Sequence, residues 1–513
     1  GRSGGMEGTR KNFGKVLADF EARLQGADFV AIDTELTGVE LEGEPDTFDE
    51  SAEVRLDKCC RIAEKYTLIQ LGLTVVGRGR ENTEHSYTCA SYNLFAFPYV
   101  GPELGNWDVT FSCQASALQF NSDHCVNFNT WIGEGISYLS REDERRLHGP
   151  NGNGSLNGAH GEKVGLLRLW KALCAARLPL VIHTPKDLFF LLAAFERRPL
   201  PREDPRALAA LVRQCFPKVY DTAHLHGALG RFKRLGLLKF FEDAKARYDE
   251  LEGAPPLQFD LTPATAQRYG RKSEDELAHE AGFDSLVTAQ LFVYLRAISS
   301  TRVREGVNRL FLFRNVEYLD LDRAGREGQV GTNMFDLSRV TLLVAVLDAN
   351  FQEAPRLIAA SGSLYKWMDS RHVLVVLRAS GGAAVRKAAE LAAQVHGVVS
   401  WMGFDEWRAA QATMGHRRGR LLGFEKTDGD ADASRPEEAQ EDEPEGVADI
   451  EQVEADEAEE FPTELADEGR PGRAAALAAL SVGSVLLLCA LARRGGLSWA
   501  AGARFMRRWR RRR

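Results

Sequence analysis

Residues 11–24 carry apolar side chains at helical spacing with polar ones opposite, and predict an amphipathic helix leading into a strand. That strand is "FVAI" (29–32), four apolar residues with no polar position between them, the pattern of a central strand covered on both faces. "YTLIQLGLTVV" (66–76) and "SYTCASYNLFAF" (86–97) predict the next two strands, with "GRGRENTEH" as their turn. "HGPNGNGSLNGAHG" (148–161) is too polar and Gly-rich to pack and breaks the pattern as a flexible loop. A helix in 162–176, a short buried strand in "LPLVIH" (178–183) and a helix in "KDLFFLLAAF" (186–195) follow. "DSLVTAQLFVYLRAI" (284–298) predicts a strongly apolar helix with Asp284 as its cap.

The pattern changes after a linker over 306–335. Residues 336–405 alternate as β-α-β-β-α-β, with strands "RVTLLVAVL", "SLYKWM", "HVLVVLRA" and "GVVSWMGF" and helices at 351–361 and 382–395, an order that suits a small α+β RRM-like domain. Its third strand is Val/Leu-rich and lacks the aromatics that stack bases, which predicts a structural or partner-binding role. Residues 474–492 form a charge-free run that just reaches the length of a bilayer span, with Arg470 and Arg473 before it and Arg493 and Arg494 after it; a C-terminal transmembrane anchor is expected there.

Charge is segregated. Residues 427–468 hold 19 acidic residues and one Arg, and 469–513 hold 11 Arg and no acid, so the net charge of −8 says little about the folded part. An acidic, disordered tether over 427–470 and a basic tail over 493–513 are expected. The rest carries 53 Lys/Arg against 54 Asp/Glu and argues neither for nor against a nucleic-acid partner. The eight cysteines show no CxxC and no zinc-like spacing with His, so reduced intracellular thiols are expected. The polar opening "GRSGGMEGT" predicts no secretory signal, with Met6 as a natural start.

The candidate chemistry begins at "FVAIDTELTG" (29–38). Side chains alternate along a strand, so Asp33 and Glu35 project the same way, and two like charges there need a cation or a hydrogen-bond network. "VIHTPKDL" puts Asp187 at a strand-to-helix junction, and "HEAGFDSL" puts His279 five residues before Asp284. Four carboxylates in this order can hold two Mg²⁺ ions about 4 Å apart, which activate a water and steady a leaving 3′-oxygen, while a histidine takes the water's proton.

With these motifs the chain resembles the DEDD-type 3′-exonucleases of the poly(A)-specific ribonuclease family, Caf-type deadenylases included. "FVAIDTELTGV", the Phe/Asn-rich segment 113–147, "YDTAHL" (220–225), "HEAGFDS" (279–285) and "VNRLFLFRNVEYLDLD" (307–322) carry the resemblance, which covers residues 10–405. It implies an RNase H-like α/β core with a mixed sheet over 11–305. It implies Asp33, Glu35, Asp187 and Asp284 as metal ligands, His279 as general base, and two Mg²⁺ ions. Asp221 in "YDT" is expected to fix a turn or to support the ligands from behind, not to bind metal itself. The implied activity is 3′→5′ exoribonuclease cleavage of single-stranded RNA ends with release of 5′-nucleotides, in small-RNA trimming or poly(A) shortening. The alternatives are an inactive, membrane-tethered RNA-binding scaffold and, third, a DNA exonuclease.

The chain departs from the family at one ligand: the Asp usually lies five residues after the His, whereas Asp187 lies four after His183, with Pro185 between. Too few residues separate "DERRL" (143–147) from "LVIH" (180–183) for the family's inserted RNA-binding module. That lack, with the apolar C-terminal run, resembles the membrane-anchored piRNA-trimming branch. It implies a cytosol-facing anchor in the mitochondrial outer membrane or endoplasmic reticulum, rather than the nucleus. A Tudor-type scaffold protein at the membrane and a homodimer are the further partners.

Overall fold

Helix α1 (Phe13–Leu24) buries Phe13, Val16, Leu17, Phe20 and Leu24, the stripe its period predicts. It leads into strand β1 (Ala27–Leu36), and α2 (Ala52–Lys65), β2 (Leu68–Arg78) and β3 (Ser86–Pro98) follow. These belong to a computed structural model that describes residues 7–79, 85–100, 109–148, 165–227, 236–270, 277–335, 337–348, 357–358, 363–369, 371–395 and 397–421. The chain divides into two units after Leu337.

The first unit is built on a mixed sheet. β2 pairs antiparallel with both β1 and β3. On the other side of β1, the short strands β4 (Leu180–Ile182) and β5 (Val219–Asp221) add in parallel. Helices α3 (Ala115–Asp123), α4 (Gly165–Ala176), α5 (Pro185–Phe195), α6 (Pro205–Cys215) and α7 (Ala281–Ile298) complete what the site needs. Alternate residues of β1 face different cores: Val30, Ile32 and Leu36 join α1, α2, α4, α5 and α6, whereas Phe29 and Ala31 join α7. The unbroken apolar run is therefore a sandwiched strand, as its pattern predicts.

Two expectations change. The segment 306–335, read as a linker, is folded into the first unit, because Leu310, Leu312, Leu319, Leu321, Ala324 and Val330 bury in the same core as β1. Short strands Arg309–Leu310, Glu317–Asp320 and Gly331–Asn333 pair there, too brief for a periodic signal. The expected membrane-anchored localisation is also corrected. Among the described residues no helix is long and apolar enough to cross a membrane. Helix α7, apolar and 18 residues long, carries Asp284 and Arg296 and packs most of its length in the core. The expected span 474–492, the acidic segment 427–470 and the basic tail 493–513 lie outside the described residues.

In the second unit, strands β6 (Thr341–Leu347), β7 (Leu364–Trp367), β8 (His372–Leu377) and β9 (Val398–Gly403) form an antiparallel sheet in the order β7-β8-β6-β9. Leu343, Ala345, Val373 and Val375 pack with α8 (Gly381–Gln394) on one face. Val344, Leu374 and Val376 on the other face are buried too, and α9 (Phe404–Leu421), with Phe404 and Trp407 buried, lies against β6 and β9. Most of the expected first helix, 351–361, lies outside the described residues.

Candidate active site

The site is assembled where β1 leaves the core. By alternation, Asp33 and Glu35 project to the α7 side of the sheet with Phe29 and Ala31, and Thr34 projects to the α5 side with Val30 and Ile32. Small residues bring α7 to the same place. Gly72, opposite Asp33 in the β1–β2 register, faces the carbonyl oxygen of Ala281 so closely that a Cβ would lie 1.8 Å from it. A Cβ at Gly282 would lie 2.8 Å from that of Asn93. Asn93 Oδ1 accepts the Gly282 N–H at 3.2 Å, and the Ser285 and Thr74 hydroxyls meet at 2.8 Å. The helix thus begins three residues earlier than its apolar pattern indicates, and Asp284 is not its cap. Asp284 sits inside the first turn, where the helix dipole favours an anion.

Glu35, His279 and Asp284 each bring one ligand-capable atom within 4.8 Å of the others. Glu35 and Asp284 are each 8% exposed, whereas His279 is open to solvent. Burial holds the Asp33 carboxyl well above the usual range, and the Asp187, Asp284 and Glu35 charges push the same way. Burial, Asp284 and Asp187 do the same to Glu35. Asp284 is pushed up to about 7, mainly by burial, against the His279 N–H that it accepts at 3.2 Å. Among the described residues no hydrogen-bond donor relieves Asp33 or Glu35. Acids gathered without donors repel one another, and a divalent cation removes that cost, so the donor set fits such an ion.

His279 adopts a left-handed backbone, φ 67°, uncommon for a residue with a Cβ. The adjacent Glu280 is locked by Arg268 Nε and Nη2 at 2.8 and 2.9 Å and by the Tyr269 hydroxyl at 2.7 Å. The imidazole meets the rings of Phe120 and His124 on and just after α3, at 4.7 and 4.3 Å between centroids. Packing against Phe120 and His124 takes part of the ring out of water, and this, with His124 beside it, lowers the His279 pKa, which favours the neutral ring at neutral pH. Sequence reasoning missed Phe120 and His124; their i,i+4 spacing was the available signal.

Asp187 is held differently. Thr34 Oγ1 donates to its Oδ1 at 2.6 Å, and Thr184 Oγ1 donates to its Oδ2 at 3.2 Å. It is buried on the α5 side of β1, and burial raises its carboxyl to about 6 against the two hydroxyls. Glu35, His279 and Asp284 therefore meet, and Asp33 and Asp187 lie close enough for their charges to act on each other and on the same group.

Two other buried acids are satisfied. Asp221 accepts the backbone N–H groups of His224 at 3.0 Å and Phe311 at 2.8 Å, fixing the turn expected of it. Glu196 lies beside Cys174 and Cys215, but its Oε1 already accepts Trp170 Nε1 at 2.6 Å and Cys215 Sγ at 3.3 Å, with Arg141 alongside. Cys59 and Cys60 are buried thiols on α2, and the seven described cysteines are all free.

A family model, the CAF1 family ribonuclease, matches residues 9–154 and 151–292. The chain is 34% identical to the poly(A)-specific ribonuclease PARN of Arabidopsis thaliana over 183 residues, 34% of this chain and 26% of that protein. It is 30% identical to the mouse poly(A)-specific ribonuclease PNLDC1 over 139 residues, 26% of this chain and 25% of that protein. The matches thus span about a quarter of these relatives' length. Among solved structures it is similar to Schizosaccharomyces pombe Pop2p in an Mg²⁺- and Mn²⁺-bound form, with 14% identity and a TM-score of 0.38 over 60% of this chain and 98% of that one.

Proposed function

The chain belongs to the CAF1 ribonuclease family, and from that membership and the acid cluster we propose that it is a divalent-metal-dependent 3′→5′ exoribonuclease, acting on single-stranded RNA ends and releasing 5′-nucleotides. The observation that carries this reading is the convergence of Glu35, His279 and Asp284 beside Asp33, with no donor among the described residues on the Asp33 or Glu35 carboxylates. Such a cluster would repel a phosphodiester. It and a polyanionic substrate are compatible only through a cation.

Asp33, Glu35 and Asp284 would hold the ion, with Asp187 as the fourth carboxylate and two Mg²⁺ as the stoichiometry. A divalent ion held there would supply a water of lowered pKa and offset charge on the phosphate and the departing oxygen. His279 is exposed, held by its neighbours and favoured neutral, so it can take the water's proton. Gly72 and Gly282 keep α7 close enough for Asp284 to share the site with β1.

Poly(A) shortening is the preferred role, since the similar proteins from Arabidopsis and mouse are both named poly(A)-specific ribonucleases. Small-RNA trimming comes second. We read the second unit as RRM-like with a structural or partner-binding role; its strand order and its two buried aliphatic faces support that. An inactive RNA-binding scaffold has one observation in its favour, the engagement of both Asp187 oxygens by threonines.

The test is incubation of the full chain with 5′-labelled, 3′-hydroxyl RNA oligomers bearing A-tails or mixed tails. Progressive shortening in Mg²⁺, abolished by EDTA and by Glu35→Gln, is expected. Oligomer binding without shortening in either Mg²⁺ or Mn²⁺ would favour the scaffold.

A further inference from the structure

We propose that Thr34 is a positioning residue, whose hydroxyl sets how well Asp187 serves the cation site; this rests on the metal-dependent reading above. Thr34 occupies the middle of the Asp33–Glu35 pair yet faces the other way, into the α5 side of the sheet, and is buried. Its Oγ1 donates to Asp187 Oδ1 at 2.6 Å, the shorter of the two bonds this carboxylate accepts from side-chain hydroxyls. Thr184 supplies the other bond at 3.2 Å, and it lies in the same short turn as Asp187, so it ties the turn to itself.

Among the described residues, Thr34 supplies the side-chain hydrogen bond that joins Asp187 to the strand carrying Asp33 and Glu35. Between His183 and the acid there are only three residues, one of them Pro185 at the first position of α5. Proline fixes φ and removes a donor, so the turn has little freedom to reorient the carboxylate. A carboxylate that accepts one hydrogen bond on an oxygen keeps a lone pair there for a cation. The strand that presents two ligands on one face thus aligns a further one through its other face. Asp187 owes its place to a hydroxyl that reads, in sequence, as a spacer.

The experiment titrates Mn²⁺, without RNA, into the metal-free full chain and follows heat. Thr34→Val keeps the shape and deletes the hydroxyl; it is expected to weaken one class of ion by about 10–100-fold, the size seen when a partner of a metal ligand is lost. Thr34→Ser is expected to bind like wild type. Asp187→Asn should weaken the same class, and the Thr34→Val/Asp187→Asn double variant should be no worse than Asp187→Asn alone, since Thr34 acts through that carboxylate. Wild-type titration by Thr34→Val, or effects of the two substitutions that add, overturns the proposal. If Glu35→Gln also titrates like wild type, the metal reading falls with it; if Glu35→Gln loses ion while Thr34→Val does not, the Thr34 proposal alone falls.

Discussion

Asp221 at the end of β5 and Glu35 near the end of β1 are both buried acids of one sheet, and both are held above the usual carboxylate range by burial. Asp221 accepts backbone N–H groups from the turn that follows it and from Phe311, and its nearest role is to hold those segments. Glu35 has no such donors among the described residues and shares its surroundings with Asp284, Asp33 and Asp187. Burial and a raised pKa do not separate structure from chemistry in this molecule. What separates Asp221 from Glu35 is that backbone N–H groups hold the first, whereas among the described residues only other acids crowd the second.

The largest way to sharpen that contrast is to remove a carboxylate that has no donors. Asp33→Ala is expected to abolish exonuclease activity, leaving less than a few per cent of wild type at saturating Mg²⁺, with the fold retained by circular dichroism. His279→Ala should lower kcat by about 10²–10⁴-fold and remove the acid limb of the pH–rate profile, as for loss of a general base. Asp221→Asn should act on stability: its amide would turn a donor toward one of the backbone N–H groups, at about 1–3 kcal/mol read by urea unfolding.

The smallest effect is the pH dependence of the metal-free protein. Asp284 and Asp221 are each pushed up to about 7. A carboxyl with a folded pKa above its unfolded one loses its proton first in the unfolded chain as pH rises. Each therefore lowers stability as pH rises from about 4 to about 7. In Asp284→Asn the unfolding midpoint should fall less steeply across that window than in wild type, measured in EDTA.

Much of the fold was legible because its periods were clean: the uninterrupted run 29–32 is a strand with helices on both faces, and the turn role of Asp221 follows its motif. The site was legible as a set of residue types and less so as geometry. Asp33 and Glu35 share a face because alternation demands it. That Asp187 is tied to the opposite face through Thr34 depends on the pose of a three-residue turn, which spacing does not encode. The true start of α7 was hidden because Ala281 and Gly282 are small for close approach to β2 and β3, a tertiary requirement without a local pattern. The segment 306–335 read as a linker because its strands are two to four residues long.

The central claim is that the acids at the end of β1 are a cation site, and thermal unfolding of the full chain with and without excess Mn²⁺ tests it most directly. An ion that binds only the folded chain adds about 2.7 kcal/mol at a hundred times its Kd, which raises Tm by several degrees in a unit of this size. Wild type and Asp221→Asn should both show that rise. Glu35→Gln should start from a higher metal-free Tm than wild type, because one repelling charge is gone, and should gain little on adding Mn²⁺. An equal Mn²⁺-dependent rise in wild type and Glu35→Gln would contradict the account.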